Sequence, residues 1–180
     1  MKKKIFKLII LFILILVVAS HKKILGDLYP QKFKKEVLKY SRQYNIDENL
    51  VFSIIEVESD FNPNAKSHKN ALGLMQITPE TGRYIAGLLN EKDFTEEKLF
   101  NPEINIKYGC FYISKLYKTF DGDTDCMLAA YNGGEGNVRK WLKLANNNKL
   151  DIDNIPFVET KIYIKRVKFI YKIYNYIYEK

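Results

Sequence analysis

The chain has 180 residues, with 29 Lys and Arg against 21 Asp and Glu, two Cys and two His. This length leaves room for one hydrophobic core of ordinary size. Hydrophobic residues make up 47% of the chain, beside 9 Gly and 5 Pro, which excludes a fibrous, collagen-like, disulfide-scaffold or wholly disordered protein.

The first twenty residues form a segment distinct from the rest. Lys2, Lys3, Lys4 and Lys7 precede an uninterrupted apolar run over residues 8–19, which is the pattern of an export signal. As a helix this run measures about 18 Å, short of the roughly 30 Å hydrocarbon core of a membrane. We therefore expect residues 1–20 to be either a signal peptide cleaved after Ser20 or, if Ile5 and Phe6 extend the run, a retained membrane anchor.

Outside this segment the composition is that of an ordinary basic domain. Residues 21–180 carry 25 Lys and Arg against 21 Asp and Glu, a net charge of +4, and nucleic acid is a poor partner for an exported chain. Cys110 and Cys126 lie 16 positions apart, and a disulfide between them is permitted outside the cytoplasm if the geometry allows it. The Cys and His spacings match no metal site, so we expect neither a metal nor another cofactor.

The exported part predicts an all-α domain, because apolar residues recur with helical spacing and no run alternates as a strand would. Pro directly follows the N-cap residues Thr78 and Asn101, a pattern typical of helix starts. Three glycines within residues 133–136 break the regular pattern. Six helices are predicted. The first covers residues 31–44, the second runs from the N-cap Asp47 to Ser59, and the third begins at Pro79. The fourth covers 102–120, the fifth runs from Asp125 to Tyr131, and the sixth covers 157–178.

Glu58 lies on an apolar face of the second predicted helix. A helical wheel places it near the middle of a stripe formed by five aliphatic residues, whereas Glu56 falls on the opposite, solvated face. A carboxyl on an apolar face loses hydration, which raises its pKa and keeps a proton available near neutral pH. The pattern suits a general acid, while an ordinary salt bridge at the helix end is the alternative.

Three motifs in a fixed order resemble those of the soluble lytic murein transglycosylases. They are residues 58–65 (ESDFNPNA) followed by 71–79 (ALGLMQITP), residues 128–136 (LAAYNGGEG), and residues 156–164 (PFVETKIYI). The resemblance covers residues 36–172 and implies an all-α, lysozyme-like domain of the goose type with a substrate cleft. Residues 21–35 then form a connecting segment that includes the start of the first helix, and 173–180 form the end of the last helix.

The same resemblance implies roles for eight residues. Glu58 matches the catalytic acid/base, and Ser67 matches a serine near that carboxyl. Seven residues match substrate-binding positions: Ser67, Met75, Gln76, Tyr131, Asn132, Glu159 and Tyr163. Met75 and Gln76 are expected to contact glycan. Glu159 and Tyr163 are expected to face the catalytic carboxyl. The chain departs from the family pattern at Asn70, Gly133 and Lys161, where the family usually has Gly, Ala and Arg.

The family cleaves the bond between N-acetylmuramic acid and N-acetylglucosamine without water and leaves a 1,6-anhydromuramic end. The resemblance implies that activity here, with a single Glu as acid and base, at the wall-facing side of the membrane. Two alternatives stay open: a muramidase in which Glu159 supplies a second carboxylate, and a non-catalytic protein that binds wall glycan. The expected partners are peptidoglycan strands, other wall or secretion-assembly proteins, and the membrane if residues 1–20 are retained.

Overall fold

The computed structural model describes residues 2–145 and 149–179. Met1 of the predicted segment 1–20 and Lys180 of the predicted stretch 173–180 lie outside the described residues. Two 3-10 turns, Glu96–Phe100 and Ile152–Asn154, accompany the helices. The α-helices are α1 Lys2–Leu28, α2 Lys34–Tyr44, α3 Glu48–Ser59, α4 Pro79–Leu88, α5 Pro102–Thr119, α6 Thr124–Gly133, α7 Glu135–Leu144 and α8 Val158–Tyr178.

The all-α prediction is confirmed, since the described residues contain helices, turns and isolated bridges but no β-strand. Three predicted N-caps are also confirmed. The Asp47 side chain accepts hydrogen bonds from the amides of Asn49 and Leu50, that of Thr78 accepts from Thr81, and that of Asn101 accepts from Ile104. Each cap satisfies amides that a helix start leaves without an intrahelical partner.

Helix α3 occupies the centre of the domain, packed between α8 and α2. Residues 51–55 are all buried, so the helix is covered on more sides than the predicted apolar stripe requires. The prediction that Glu56 faces solvent is therefore wrong: its side chain is partly buried, and burial raises the pKa of its carboxyl.

The structure corrects the predicted short helix from Asp125 to Tyr131. Its N-cap is Asp123, whose carboxylate accepts from the Cys126 amide, and the helix runs over Thr124–Gly133. The chain then breaks at one residue, Gly134, which has φ +89°. The sequence predicted irregular structure up to residue 136 and missed α7, which begins directly at Glu135.

Three further predictions concern α1, α2 and the cysteines. No single described helix has the length and hydropathy expected of a membrane span, whereas segments 4–17 and 20–28, taken together with a 56° bend, do. Helix α2 begins at Lys34 rather than at residue 31, because Phe33 has the left-handed φ of 54°. Cys110 and Cys126 are both buried free thiols, so the structure does not contain the disulfide considered from the sequence.

Candidate active site

Glu58 lies in the last turn of α3, and its side chain is partly buried. Loss of hydration raises the pKa of its carboxyl from 4.5 to about 7. Tyr163 and Arg166 lower the pKa, and the negative charge of Glu159 raises it further, but burial is the largest cause. Near neutral pH the carboxyl is therefore divided between its protonated and ionised forms, as a group that donates and then accepts a proton requires.

Two tyrosines from different helices lie close to this carboxyl. Burial, reinforced by the charge of Glu58, raises the pKa of Tyr131 on α6 and of Tyr163 on α8 well above 10. Both phenols thus keep their protons. The Tyr131 hydroxyl donates to the carbonyl of Met75 at 2.8 Å, whereas the buried Tyr163 hydroxyl has no hydrogen bond of normal geometry to any described residue. The hydroxyl nevertheless lies close enough to Glu58 to act as a donor to its carboxylate, which lowers the pKa of Glu58.

The loop of residues 62–77 is fixed beside α3 by a buried amide that the sequence interpretation missed. Asn105 of α5 is fully buried; its Nδ2 donates to the carbonyls of Leu72 at 2.9 Å and Leu99 at 2.7 Å, and its Oδ1 accepts from the Met75 amide at 2.7 Å. A Cβ on Gly73 would lie 2.4 Å from Asn105 Nδ2 and 2.2 Å from the Leu99 carbonyl oxygen. This close fit explains why residue 73 is a glycine. The sequence signal for Asn105 was its position as a polar residue between Ile104 and Ile106.

A second missed residue connects this loop to the turn that carries Glu58. The Ser59 hydroxyl donates to the Leu74 carbonyl at 2.8 Å. The contact joins the residue next to the candidate acid to the loop that Asn105 holds. Because Ser59 follows Glu58 in the first motif, its sequence position pointed to the site but not to this partner.

Ser67 and Gln76, both predicted to bind substrate, hold the loop itself. The Ser67 hydroxyl accepts from the Ala71 amide at 3.0 Å, and Gln76 Nε2 donates to the Gly73 carbonyl at 2.9 Å. The turn between them passes through Asn70, which has φ 59°. This left-handed conformation is one that Asn accepts better than most residues, as expected for a position where the family has Gly.

Met75 is a correction to the predicted glycan contacts. Its side chain is fully buried and packs so closely on α5 that a Cβ on Gly109 would lie 2.1 Å from its sulfur. The side chain therefore belongs to the core. The backbone of Met75 contributes to the site indirectly, because its carbonyl fixes the Tyr131 hydroxyl.

Asn132 and Glu159 come together at a pocket of about 370 Å³ between the start of α8 and the end of α6. Asn132 Oδ1 accepts from the Thr160 hydroxyl at 2.8 Å, and Lys69 Nζ pairs with Glu159 Oε2 at 2.6 Å across the pocket. Both partners of this ion pair are more than half exposed, so the pair contributes little to stability. The full lining is Lys69, Asn132, Gly133, Phe157, Val158, Glu159 and Thr160.

The structure also accounts for Gly133 and Lys161, the two other departures from the family pattern. A Cβ at Gly133 would lie 3.0 Å from the Thr160 hydroxyl oxygen, so an alanine there would require Thr160 to shift. Lys161 Nζ donates to the Asp153 carbonyl at 3.0 Å, a single contact that does not need the planar fork of an arginine.

The site thus combines one partly buried carboxyl of raised pKa, two protonated phenols and an exposed second carboxylate. Of the predicted site residues, Glu58, Tyr131 and Tyr163 lie together, and Glu159 is near enough for its charge to act on Glu58. Ser67 and Gln76 belong to the supporting loop, and Met75 to the core. The described residues hold no group of three or more His, Cys, Asp or Glu that could bind a metal ion.

Comparison with known proteins finds one family and consistent relatives. Residues 36–154 match the family model described as "Transglycosylase SLT domain". The soluble lytic murein transglycosylase of Salmonella typhimurium is 33% identical over 148 residues, which cover 79% of this chain and 23% of that protein. The chain therefore spans about a quarter of the length of this curated relative.

Two solved structures have similar folds. The crystal structure of the 70-kDa soluble lytic transglycosylase from Escherichia coli matches 87% of this chain and 26% of its own, with a TM-score of 0.81 and 30% identity. The lytic transglycosylase Slt from Pseudomonas aeruginosa, solved as an inactive glutamate-to-glutamine mutant, matches 84% of this chain and 25% of its own, with a TM-score of 0.77 and 29% identity.

Proposed function

Because the chain belongs to the transglycosylase SLT domain family, we propose that it is a lytic transglycosylase that cuts peptidoglycan. The proposed target is the β-1,4 bond between N-acetylmuramic acid and N-acetylglucosamine. The observation that carries the proposal is the raised pKa of Glu58, about 7, on a carboxyl beside two protonated tyrosines.

In the first step Glu58 acts as a general acid. Its protonated carboxyl donates a proton to the glycosidic oxygen, so that the N-acetylglucosamine side leaves as an alcohol while positive charge develops at C1 of the muramic residue. The N-acetyl group of the muramic residue stabilises this charge. Burial favours the step, because it keeps a fraction of the carboxyl protonated at neutral pH.

In the second step the same carboxylate acts as a base. It removes the proton of the muramic 6-hydroxyl, whose oxygen forms a bond to C1 and closes the 1,6-anhydro ring. Nucleophile and electrophile belong to one sugar, so the attack benefits from a high effective molarity. The Tyr163 hydroxyl stabilises the Glu58 carboxylate between the two steps, in line with its lowering of that pKa.

The state of the second motif carboxylate, Glu159, supports a one-carboxylate mechanism. The Pseudomonas relative is named as inactive through one glutamate-to-glutamine change. In this chain the other motif carboxylate, Glu159, is exposed and paired with Lys69, an arrangement less suited to activating a water than an unpaired carboxylate. An exported, wall-facing location and recruitment by other wall or secretion-assembly proteins belong to the same proposal.

The test is mass spectrometry of the muropeptides that the full chain in detergent releases from purified peptidoglycan. We expect products one water lighter than hydrolytic ones. Glu58→Gln should release none, while Glu56→Gln, two residues away on the same helix, should release them normally.

Each other result would redirect the proposal. Products at the hydrolytic mass would identify a muramidase and make Glu159 the second carboxylate to test. Binding of the folded chain to the wall without any released product would identify a glycan-binding protein.

A further inference from the structure

The solvent side of α8 carries three apolar residues in a row. Ile162, Phe169 and Tyr176 are seven positions apart and so lie along one line of the helix. Their exposed fractions are 53%, 61% and 48%, although the side chains on the opposite face of α8 form part of the core. The row therefore presents large apolar side chains to the surroundings of the domain.

A second row on α8 is cationic. Lys161, Lys165, Lys168 and Lys172 follow spacings of four, three and four residues, which places them about 70° around the helix from the apolar row. Lys165 and Lys168 pair with Asp153 and Asp125 at 2.7 Å. Lys172 is exposed and forms no ion pair with any described residue. We call the two rows together the α8 stripe.

The α8 stripe ends where α1 packs against the domain. The ring of His21 lies 5.6 Å from that of Tyr176, and Lys22 Nζ lies 4.9 Å from the same ring. The Tyr178 hydroxyl donates to the Tyr29 carbonyl at 2.9 Å. Residues 21–29 are thus fixed to the end of α8 that carries the last member of the apolar row.

Helix α1 itself needs an apolar environment. Each of its described large apolar side chains between Ile5 and Val17 is at least half exposed. Segments 4–17 and 20–28 meet the criteria of a span only as a bent pair, with 56° between them. The bend gives residues 4–17 a direction different from that of residues 20–28, which contact α8.

We propose that the α8 stripe rests on an anionic lipid surface into which residues 4–17 of α1 insert. The apolar row enters the interfacial layer, and Lys172, which has no ion pair among the described residues, extends its amine to the lipid phosphates. Tyrosine at the junction with α1 is the residue type that membrane interfaces favour. Continuity with α1 and the positive charge select lipid as the occupant of this surface, and the inference is independent of the reaction proposed above.

This placement orients the candidate active site. Helix α8 is about 31 Å long, and Glu159 lies in its first turn, at the opposite end from α1. With α8 along the lipid surface, the domain cannot extend away from the membrane on a free tether. The candidate active site is thereby held close to the membrane.

The test uses the full chain reconstituted in vesicles, with a polarity-sensitive dye on Phe169→Cys. Cys110 and Cys126 are buried free thiols, so the introduced cysteine is the accessible one. The matched control is Leu88→Cys on α4, a position 47% exposed on a helix that packs against α5. Quenching by brominated lipids is compared in phosphatidylglycerol-containing and pure phosphatidylcholine vesicles.

We expect brominated lipid to quench the dye at position 169 by at least about twofold more than the dye at position 88, and most strongly with phosphatidylglycerol. Equal quenching at the two positions would overturn the proposed orientation. Shielding of position 169 from iodide without quenching by lipid would mean that a protein, such as a second copy of the chain, covers the stripe. Equal quenching in both lipid mixtures would overturn the assignment of an anionic surface.

Discussion

Glu58 and Glu91 both lie beside a tyrosine hydroxyl, yet their pKa values shift in opposite directions. At Glu91, burial alone would raise the pKa, but hydrogen bonds from Lys107 and the Tyr108 hydroxyl outweigh it and hold the pKa below its usual value. No such cation contacts Glu58 among the described residues, so burial dominates and raises its pKa to about 7. A carboxylate paired with a cation serves the fold, whereas one without a cation partner keeps a transferable proton at a cost in stability.

The two carboxyls therefore have opposite pH signatures. The folded chain binds a proton at Glu58 more tightly than the unfolded chain does, so this group destabilises the fold progressively as pH rises from about 4.5 to about 7. Glu91, whose folded pKa is depressed, stabilises the fold above its unfolded pKa, and that contribution is lost as pH falls. Five predictions test this comparison.

The largest expected effect is on catalysis. Glu58→Gln keeps the shape of the side chain but removes the transferable proton, so the rate of wall digestion should fall by about 10²-fold or more. Turbidity loss of purified peptidoglycan measures it, with Glu91→Gln as the control that retains activity. A Glu58→Gln rate above about a tenth of wild type would contradict the acid/base role.

Loss of the amide that holds the loop beside Glu58 should have the next largest effect. Asn105→Ala leaves two carbonyls and one amide without their partner and should lower the free energy of unfolding by about 3 kcal/mol. Ser114→Ala on the same helix loses one bond, to the Tyr44 carbonyl, and should cost about 1 kcal/mol. Urea denaturation compares them, and equal costs would mean that Asn105 does not hold the loop.

The raised pKa of Glu58 predicts a stability gain on its removal. At pH 8 the wild-type chain carries a partly buried, ionised Glu58, so Glu58→Gln should be more stable by about 2 kcal/mol, a value reduced for partial exposure. The difference should shrink as pH falls and vanish near pH 4, where the carboxyl is neutral in both states. A difference that stays constant with pH would show that the carboxyl is not buried in solution.

Removing the partnered carboxylate should have a smaller and opposite effect. Glu91→Gln loses the ion pair with Lys107 and weakens the bond from Tyr108, so the chain should lose about 1 kcal/mol of stability at pH 7. Glu103 is a matched control, because it also pairs with a lysine and accepts from a tyrosine hydroxyl, Lys39 and Tyr40. Glu103 is exposed, and Glu103→Gln should leave the midpoint of urea unfolding unchanged.

The smallest effect is expected from Tyr163→Phe. Tyr163 lowers the pKa of Glu58, so its removal should move the upper limb of the pH–rate profile to higher pH and reduce the rate only in part. Tyr112→Phe is the control, since Tyr112 contacts the ring of Tyr131 and is not among the groups that shift the Glu58 pKa. An unmoved profile in Tyr163→Phe would show that the phenol does not act on this carboxyl.

Much of the fold was predictable because its signals are local. The caps at Asp47, Thr78 and Asn101 were identified from residue type and spacing, since a side chain bonds to amides two or three positions ahead. Helix α7 was missed because glycines within 133–136 suggested a loop, whereas Gly134 alone forms the break and Gly136 is accommodated inside a helix that gains its stability from packing.

The site was predictable in part for a related reason. The position of Glu58 on an apolar face and the three ordered motifs identified the candidate acid and the family. Met75 was predicted to contact glycan, because a sequence cannot show that its side chain fills the space beside Gly109. Asn105, 30 residues from the amide that it holds, carried no motif, because its partners are backbone groups whose positions depend on the folded loop.

By itself the sequence determined the helical class, most helix starts, the family and the identity of the candidate acid, because periodicity, capping and motif order are properties of neighbours along the chain. Only the tertiary structure decided that α3 is buried nearly all round, that the Tyr163 hydroxyl lies beside Glu58, and that α1 packs against the tyrosine-rich end of α8. These features depend on contacts between residues as many as 155 positions apart. Burial, and with it the pKa of Glu58, is a property of the assembled fold.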